Sequence, residues 1–119
     1  MERTRREWDG FLAILAEKLI AEVVASELGI REGIVMSLAG VAPYRRLDCD
    51  GKALCYVRCR PQKRAVRIDV SGLWRRPPRA TSLLSSSSSL TLMVSRYEDI
   101  EEAAAYLRSV VQATRSLGP

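Results

Sequence analysis

The sequence contains no histidine, and this absence removes the usual general base of enzymes. Serine–histidine–aspartate and cysteine–histidine catalysis are therefore excluded. The three acids of the central region, Asp48, Asp50 and Asp69, are too scattered to indicate a metal-dependent nuclease. We therefore expect that the protein is not an enzyme and uses no cofactor.

Cysteine is also scarce, because the chain has only Cys49, Cys55 and Cys59. Their spacing matches no zinc pattern, and without histidine a zinc site would need all three thiolates and a fourth ligand. We expect no metal site and interpret these residues as small buried side chains on strands.

Long uncharged apolar runs are missing as well. Glu7, Asp9, Glu17 and Lys18 interrupt the first apolar segment, which excludes a signal peptide and a transmembrane span there. We expect a cytoplasmic protein with no membrane partner. A length of 119 residues with 47% hydrophobic residues predicts a single domain over residues 1–119.

Positive charge is abundant but confined to the middle of the chain. Residues 44–79 hold 11 of the 19 Lys and Arg residues and have a local net charge of +8. Residues 1–43 sum to −2 and residues 80–119 to −1. Tyr44, Tyr56 and Trp74 lie among the arginines, and basic side chains interleaved with aromatic rings suit a polyanion with stackable bases.

The first element predicted is a long helix over residues 4–28. Thr4 and Glu7 fit a capping box, and apolar residues recur at spacings of three and four. Gly29 is placed to end the helix. The apolar arc is wide, so the helix is either a core helix alone or one that also helps to form a dimer.

Two hairpins are predicted next. Residues 34–38 form either a strand or a short helix, with a strand favoured. Asp50-Gly51 is typical of a two-residue hairpin turn, which pairs Cys49 with Lys52, Leu47 with Leu54 and Arg45 with Tyr56. Residues 61–64 form a second turn, after which Arg60 pairs with Ala65 and Arg58 with Arg67.

One face of this predicted sheet is aliphatic and ready to receive helices. The other presents Arg45, Tyr56, Arg58 and Arg67. Like charges directly opposite each other across strands are unfavourable, so their placement indicates an anionic partner.

The last third of the chain is predicted as loop, strand and helix. Residues 71–89 form a basic, serine-rich loop that is mobile over about residues 80–89, and Trp74 either contacts a ligand or packs on the core. Residues 90–94 form a strand. Ser95 and Glu98 fit a second capping box. The apolar seam of the following helix, residues 100–117, packs on its own sheet or forms a dimer zipper.

The predicted fold is therefore α+β: a long N-terminal helix, an antiparallel sheet of four to five strands and a C-terminal helix, with the helices on one sheet face. The predicted function is single-stranded nucleic-acid binding, with DNA favoured, largely independent of sequence. The candidate contact residues are Arg45, Tyr56, Arg58, Arg60, Lys63, Arg64, Arg67, Trp74, Arg75, Arg76 and Arg79. The alternative is a structural or protein-interaction module that forms a homodimer through apolar helix surfaces.

The order of a long helix, a basic sheet carrying Tyr56, Arg58 and Arg67, and a closing helix resembles the ThermoDBP-related archaeal single-stranded-DNA-binding proteins. A composition rich in Arg, Leu, Val and Glu and free of His fits a thermophile. The resemblance implies protection of exposed single strands. The pattern of basic hairpin, loop, strand and helix over roughly residues 44–116, with the motif at residues 94–103, also resembles a small domain described as a predicted transport protein, which accompanies DNA-processing modules.

Overall fold

Five antiparallel strands form one sheet in the computed structural model, which describes residues 2–34, 44–85 and 90–116. The strands follow one another in the order of the chain. They are β1 (Arg31–Glu32), β2 (Arg45–Cys49), β3 (Lys52–Arg60), β4 (Ala65–Val70) and β5 (Thr91–Val94). Two helices, α1 (Arg5–Val24) and α2 (Ile100–Arg115), complete the α+β fold.

Helix α1 begins where the sequence predicts. The Thr4 side chain accepts a hydrogen bond from the backbone N–H of Glu7 at 3.1 Å, which satisfies one of the free donors of the first turn. The helix ends at Val24 rather than at residue 28. Gly29, with a φ of 79°, lies in the turn that follows and allows the chain to enter β1.

Both predicted hairpin turns are confirmed. Asp50 and Gly51 have φ angles of 54° and 77°, and Cys49 pairs with Lys52 beside them. The second turn is a short 3₁₀ helix over Pro61–Lys63 that closes with Arg64 in the left-handed region. Beyond it, Arg60 pairs with Ala65 as predicted.

The predicted register of β2 against β3 is wrong beyond the turn. Leu47 pairs with Cys55 rather than Leu54, and Arg45 pairs with Val57 rather than Tyr56. The cause is a β-bulge at Leu54, an extra residue on β3, after which every following pair moves by one position. Because side chains alternate between the two faces, this shift moves Arg45 to the face opposite the predicted one.

Helix α1 packs against β3, β4 and α2, and α2 packs also against β5. The core contains Leu12, Leu15 and Leu19 of α1, strand residues such as Ile68, and the predicted seam of α2, of which Ala103, Leu107 and Val110 are fully buried. These three seam residues are buried within the chain and are therefore not available for a dimer zipper.

The predicted capping box at Ser95 and Glu98 is wrong. A short 3₁₀ helix over Tyr97–Asp99 precedes α2, and neither element has a side-chain cap. Arg96 instead contacts Asp99, with 3.2 Å between its Nη2 and Oδ1.

The predicted loop contains more structure than its composition indicates. Leu84 forms a bridge to Leu92 of β5, and the backbone N–H of Ser85 donates to the carbonyl oxygen of Thr91 at 2.8 Å. Residues 86–89 lie outside the described residues. Residues 35–43 do as well, and they include most of the predicted strand over residues 34–38.

No helix in the described part of the chain is both long and apolar enough to cross a membrane.

Candidate nucleic-acid interface

Strands β2 to β4 bring a set of arginines and a tyrosine together on one face of the sheet, here called the arginine face. Its register pairs Arg46 with Tyr56, Tyr56 with Asp69, and Arg58 with Arg67. These residues are half-buried, so part of each side chain is accessible. The members of the arginine face are Arg46, Asp48, Tyr56, Arg58, Arg60, Arg67 and Asp69.

Arg58 and Arg67 lie directly opposite each other on β3 and β4, as the sequence predicts. Asp69 accepts two hydrogen bonds from Nε of Arg67, each of 3.0 Å, and a third from the Thr91 hydroxyl at 2.9 Å. This carboxylate compensates the charge of Arg67. Arg58 has no carboxylate partner among the described residues, and its buried Nε has no acceptor there.

Two tyrosines lie beside Arg58. The rings of Tyr44 and Tyr56 meet edge to face, with centroids 5.5 Å apart, and the Arg58 guanidinium lies 5.7 Å from the centroid of Tyr44. Such a cation–π contact favours the charged group without neutralising it. The arrangement leaves a positive charge next to aromatic surface.

Arg46 is a member of the arginine face that sequence reasoning missed. Its Nε lies 2.8 Å from Oδ1 of Asp48, and its Nη2 donates to Oδ2 at 3.0 Å. This hydrogen bond raises the pKa of Arg46. No signal in the sequence alone could have found it, because the bulge at Leu54 is revealed only by the register of β2 with β3 and by the burial of both Leu54 and Cys55.

Arg45, which was predicted on this face, lies instead on the helix side. It bonds Glu17 of α1 and also Glu32 of β1, whose Oε2 is 2.6 Å from the Arg45 Nε. The hydrogen bond from Arg45 lowers the pKa of Glu32, and the two carboxylates raise the pKa of Arg45. Arg45 therefore ties α1 to the sheet and does not belong to the candidate interface.

Trp74 is a core residue. The residue is only 4% exposed, and its indole N–H donates to the carbonyl oxygen of Ala53 at 2.8 Å. The Lys52 ammonium lies 4.6 Å from the ring centroid. A base could not stack on this ring, so Trp74 packs on the core and does not contact a ligand.

The other predicted contact residues are spread over several elements. Arg64 contacts Glu2 at 2.5 Å, and Arg79 contacts Glu102 of α2 at 2.8 Å. The backbone N–H of Arg75 donates to the Thr114 hydroxyl at 2.9 Å, and the residue is exposed, as is Arg76. The loop arginines therefore lie toward α2, while Arg60 and Lys63 remain at the β3–β4 end of the arginine face.

A cavity of about 410 Å³ lies between α1 and β3 and extends to Tyr44 and Arg58. Its apolar lining includes Ala16 and Val57. The half-buried Cys59 also lines it, and burial raises the pKa of that thiol. The apolar surface of the cavity therefore adjoins the arginine face beside Tyr44 and Arg58.

The thiols of Cys49 and Cys55 are not activated as nucleophiles. Cys55 is fully buried and Cys49 nearly so, and burial raises the pKa of both thiols, which disfavours the nucleophilic thiolate. Within the described ranges, no group of three or more His, Cys, Asp or Glu side chains is placed to hold a metal ion.

Comparison with family models, with curated proteins and with solved structures gives no significant match to this chain.

Proposed function

We propose that this protein binds single-stranded nucleic acid, with DNA as the favoured form, along the arginine face. The observation that carries the proposal is the placement of Arg58 directly opposite Arg67 with a carboxylate for only one of the two. Like charges opposite each other on a sheet are unfavourable. A phosphodiester bound beside Arg58 would supply the missing negative charge, and a base would stack on Tyr56 or Tyr44.

The expected recognition is largely independent of sequence. Arginine contacts to phosphates carry no sequence information, and every base has a face that can stack on a ring. A single strand is favoured over a duplex because the described part of the fold offers no obvious recognition helix: α2 carries Glu101 and Glu102 in its first turn and is therefore unsuited to enter a major groove.

This function requires the arginine face to be accessible, so we also propose that both helices cover the other face. Buried residues of α1 and α2 belong to the same core cluster as Val66 and Ile68 of β4 and Leu92 of β5. In β4, Val66 and Ile68 alternate with Arg67 and Asp69 and therefore point to the face opposite the arginine face. The function fits a cytoplasmic protein that protects exposed single strands, as the resemblance to the ThermoDBP-related proteins implies. It needs no enzymatic step.

The test is fluorescence anisotropy with labelled oligothymidylate over a series of salt concentrations. Arg58→Gln should flatten the plot of log K against log salt by about 0.7–1 unit, because one phosphate contact is lost. Tyr56→Ala should weaken binding by about 1–3 kcal/mol with the slope unchanged, because stacking releases no counterions. If both variants bind like the wild type, the arginine face is not the binding surface.

We propose second that the protein forms a homodimer. This proposal is also compatible with the alternative function of a protein-interaction module. Ile14 and Val24 of α1 are 52% and 37% exposed, although α1 packs into the core through its other side. Exposed apolar residues on one helix suit contact with a second copy of the same helix. Ile14→Glu should convert a dimer to a monomer in sedimentation equilibrium, while Glu22→Gln on the same helix should not. A wild-type monomer at high concentration would contradict the proposal.

A further inference from the structure

We propose that a pocket at the β3–β4 end of the arginine face holds one phosphodiester group of the bound strand. The pocket has a volume of about 280 Å³ and is lined by Arg60, Lys63, Arg67, Ser85, Thr91 and Met93. This inference rests on the proposed function and names the phosphate subsite within it.

The charge of the pocket selects an anion. Three of its lining side chains are cationic and none is a carboxylate. Arg60 and Lys63 have no ion pair among the described residues, so their charges are uncompensated there. Arg67 uses Nε for its hydrogen bonds to Asp69, and among the described residues Nη1 and Nη2 make none.

The fold holds these groups in place. Arg60 ends β3, and Lys63 lies in the 3₁₀ turn that connects β3 to β4, so the hairpin holds the two cations three residues apart in one tight connection. Thr91, 8% exposed, is fixed through its hydroxyl by Asp69, the carboxylate that also holds Arg67. Met93, directly opposite Arg67 on β5, supplies an apolar wall.

The size and position of the pocket favour a phosphodiester over a whole small molecule. Sites for drug-sized ligands have volumes of about 300–1,000 Å³, and this pocket lies at the lower end of that range. Arg67 belongs both to the pocket and to the pair with Arg58, so a phosphate in the pocket would belong to the same strand whose bases lie near Tyr56. Charge-assisted hydrogen bonds from arginine and lysine are the strong contacts that phosphate oxygens accept.

The experiment compares three proteins by anisotropy with oligothymidylate and by NMR of the arginine Nε–Hε groups. They are the wild type, the double variant Arg60→Gln/Lys63→Gln, and the control Lys18→Gln/Arg108→Gln, which removes the same charge from α1 and α2. The pocket variant should bind at least about tenfold more weakly, because charged hydrogen bonds are lost, with a salt slope lower by about 0.7. The control should bind like the wild type, and the oligonucleotide should shift the Arg60 and Arg67 signals.

The other outcomes separate the two proposals. If the wild type binds the strand and the pocket variant binds equally well, the phosphate subsite is wrong and the proposed function stands. If the wild type does not bind the strand, both fall. If inorganic pyrophosphate shifts the Arg60 and Arg67 signals and the oligonucleotide does not, the pocket binds free phosphate and the assignment to a phosphodiester is overturned. Thermal melting of each variant checks that it folds.

Discussion

Neighbouring arginines on one strand serve opposite purposes in this protein. Arg45 lies on the helix side, bonded to carboxylates of α1 and β1, while Arg46 lies on the arginine face beside Asp48. The bulge at Leu54 decides which of the two faces which way. A single inserted residue therefore determines which of the two side chains lies on the arginine face.

Substituting each of these arginines tests that register. Arg46→Gln should lower the salt slope of single-strand binding by about 0.7, because Arg46 belongs to the arginine face along which we propose that the strand binds. Arg45→Gln should leave the slope unchanged and lower the melting temperature slightly, since partly exposed ion pairs contribute about 1 kcal/mol or less. The reverse pattern, with the slope lost in Arg45→Gln, would contradict the observed pairing.

At the scale of elements, the hairpin turns carried the clearest sequence signals and the strand interiors the weakest. Asp50-Gly51 could be predicted because two adjacent positive φ angles favour those residues. The bulge could not, since a pattern of alternating residues assigns Leu54 to the polar face unless its burial is known. Trp74 posed the same difficulty: an arginine-rich neighbourhood suggests exposure, but the indole contacts Ala53 across the fold.

The helix ends show a similar limit. The cap at Thr4 is local in sequence and was predictable, whereas the start of α2 depends on the contact of Arg96 with Asp99 in place of the Ser95 cap. In the candidate interface, Arg58 opposite Arg67 followed from counting residues back from a short turn. The placement of Arg46 depends on the bulge at Leu54, and the lining of the pocket at the β3–β4 end combines that hairpin with β5, which is distant in sequence.

The role of Trp74 as a core element can be measured. Trp74→Phe should lower the free energy of unfolding by about 1–3 kcal/mol, because it removes the hydrogen bond from the buried indole to the carbonyl oxygen of Ala53. Leu73→Ala, at a neighbour that is 66% exposed, should change stability by about 0.5 kcal/mol or less. Urea denaturation measures both. Equal stability of Trp74→Phe and the wild type, with weakened strand binding, would return Trp74 to the candidate interface.

At the scale of the whole molecule, the fold separates arginines that are paired with carboxylates from arginines that are not. Carboxylates compensate Arg45, Arg46 and Arg67, while Arg58 and Arg60 have no carboxylate partner in the described part of the chain. The uncompensated cations occupy alternate positions of one strand, β3, and so point to the same side of the sheet. These cations concentrate part of the net charge of +5 on one surface of the domain, and such a concentration of positive charge could attract a polyanion.

The most direct test of this account is the salt dependence of wild-type binding to single-stranded and duplex DNA of equal length. The account predicts saturable single-strand binding whose log K falls with log salt at a slope of several units, with about 0.7 for each phosphate contacted, and weaker duplex binding under the same conditions. The absence of saturable single-strand binding at low salt would contradict it, as would equal binding to the duplex.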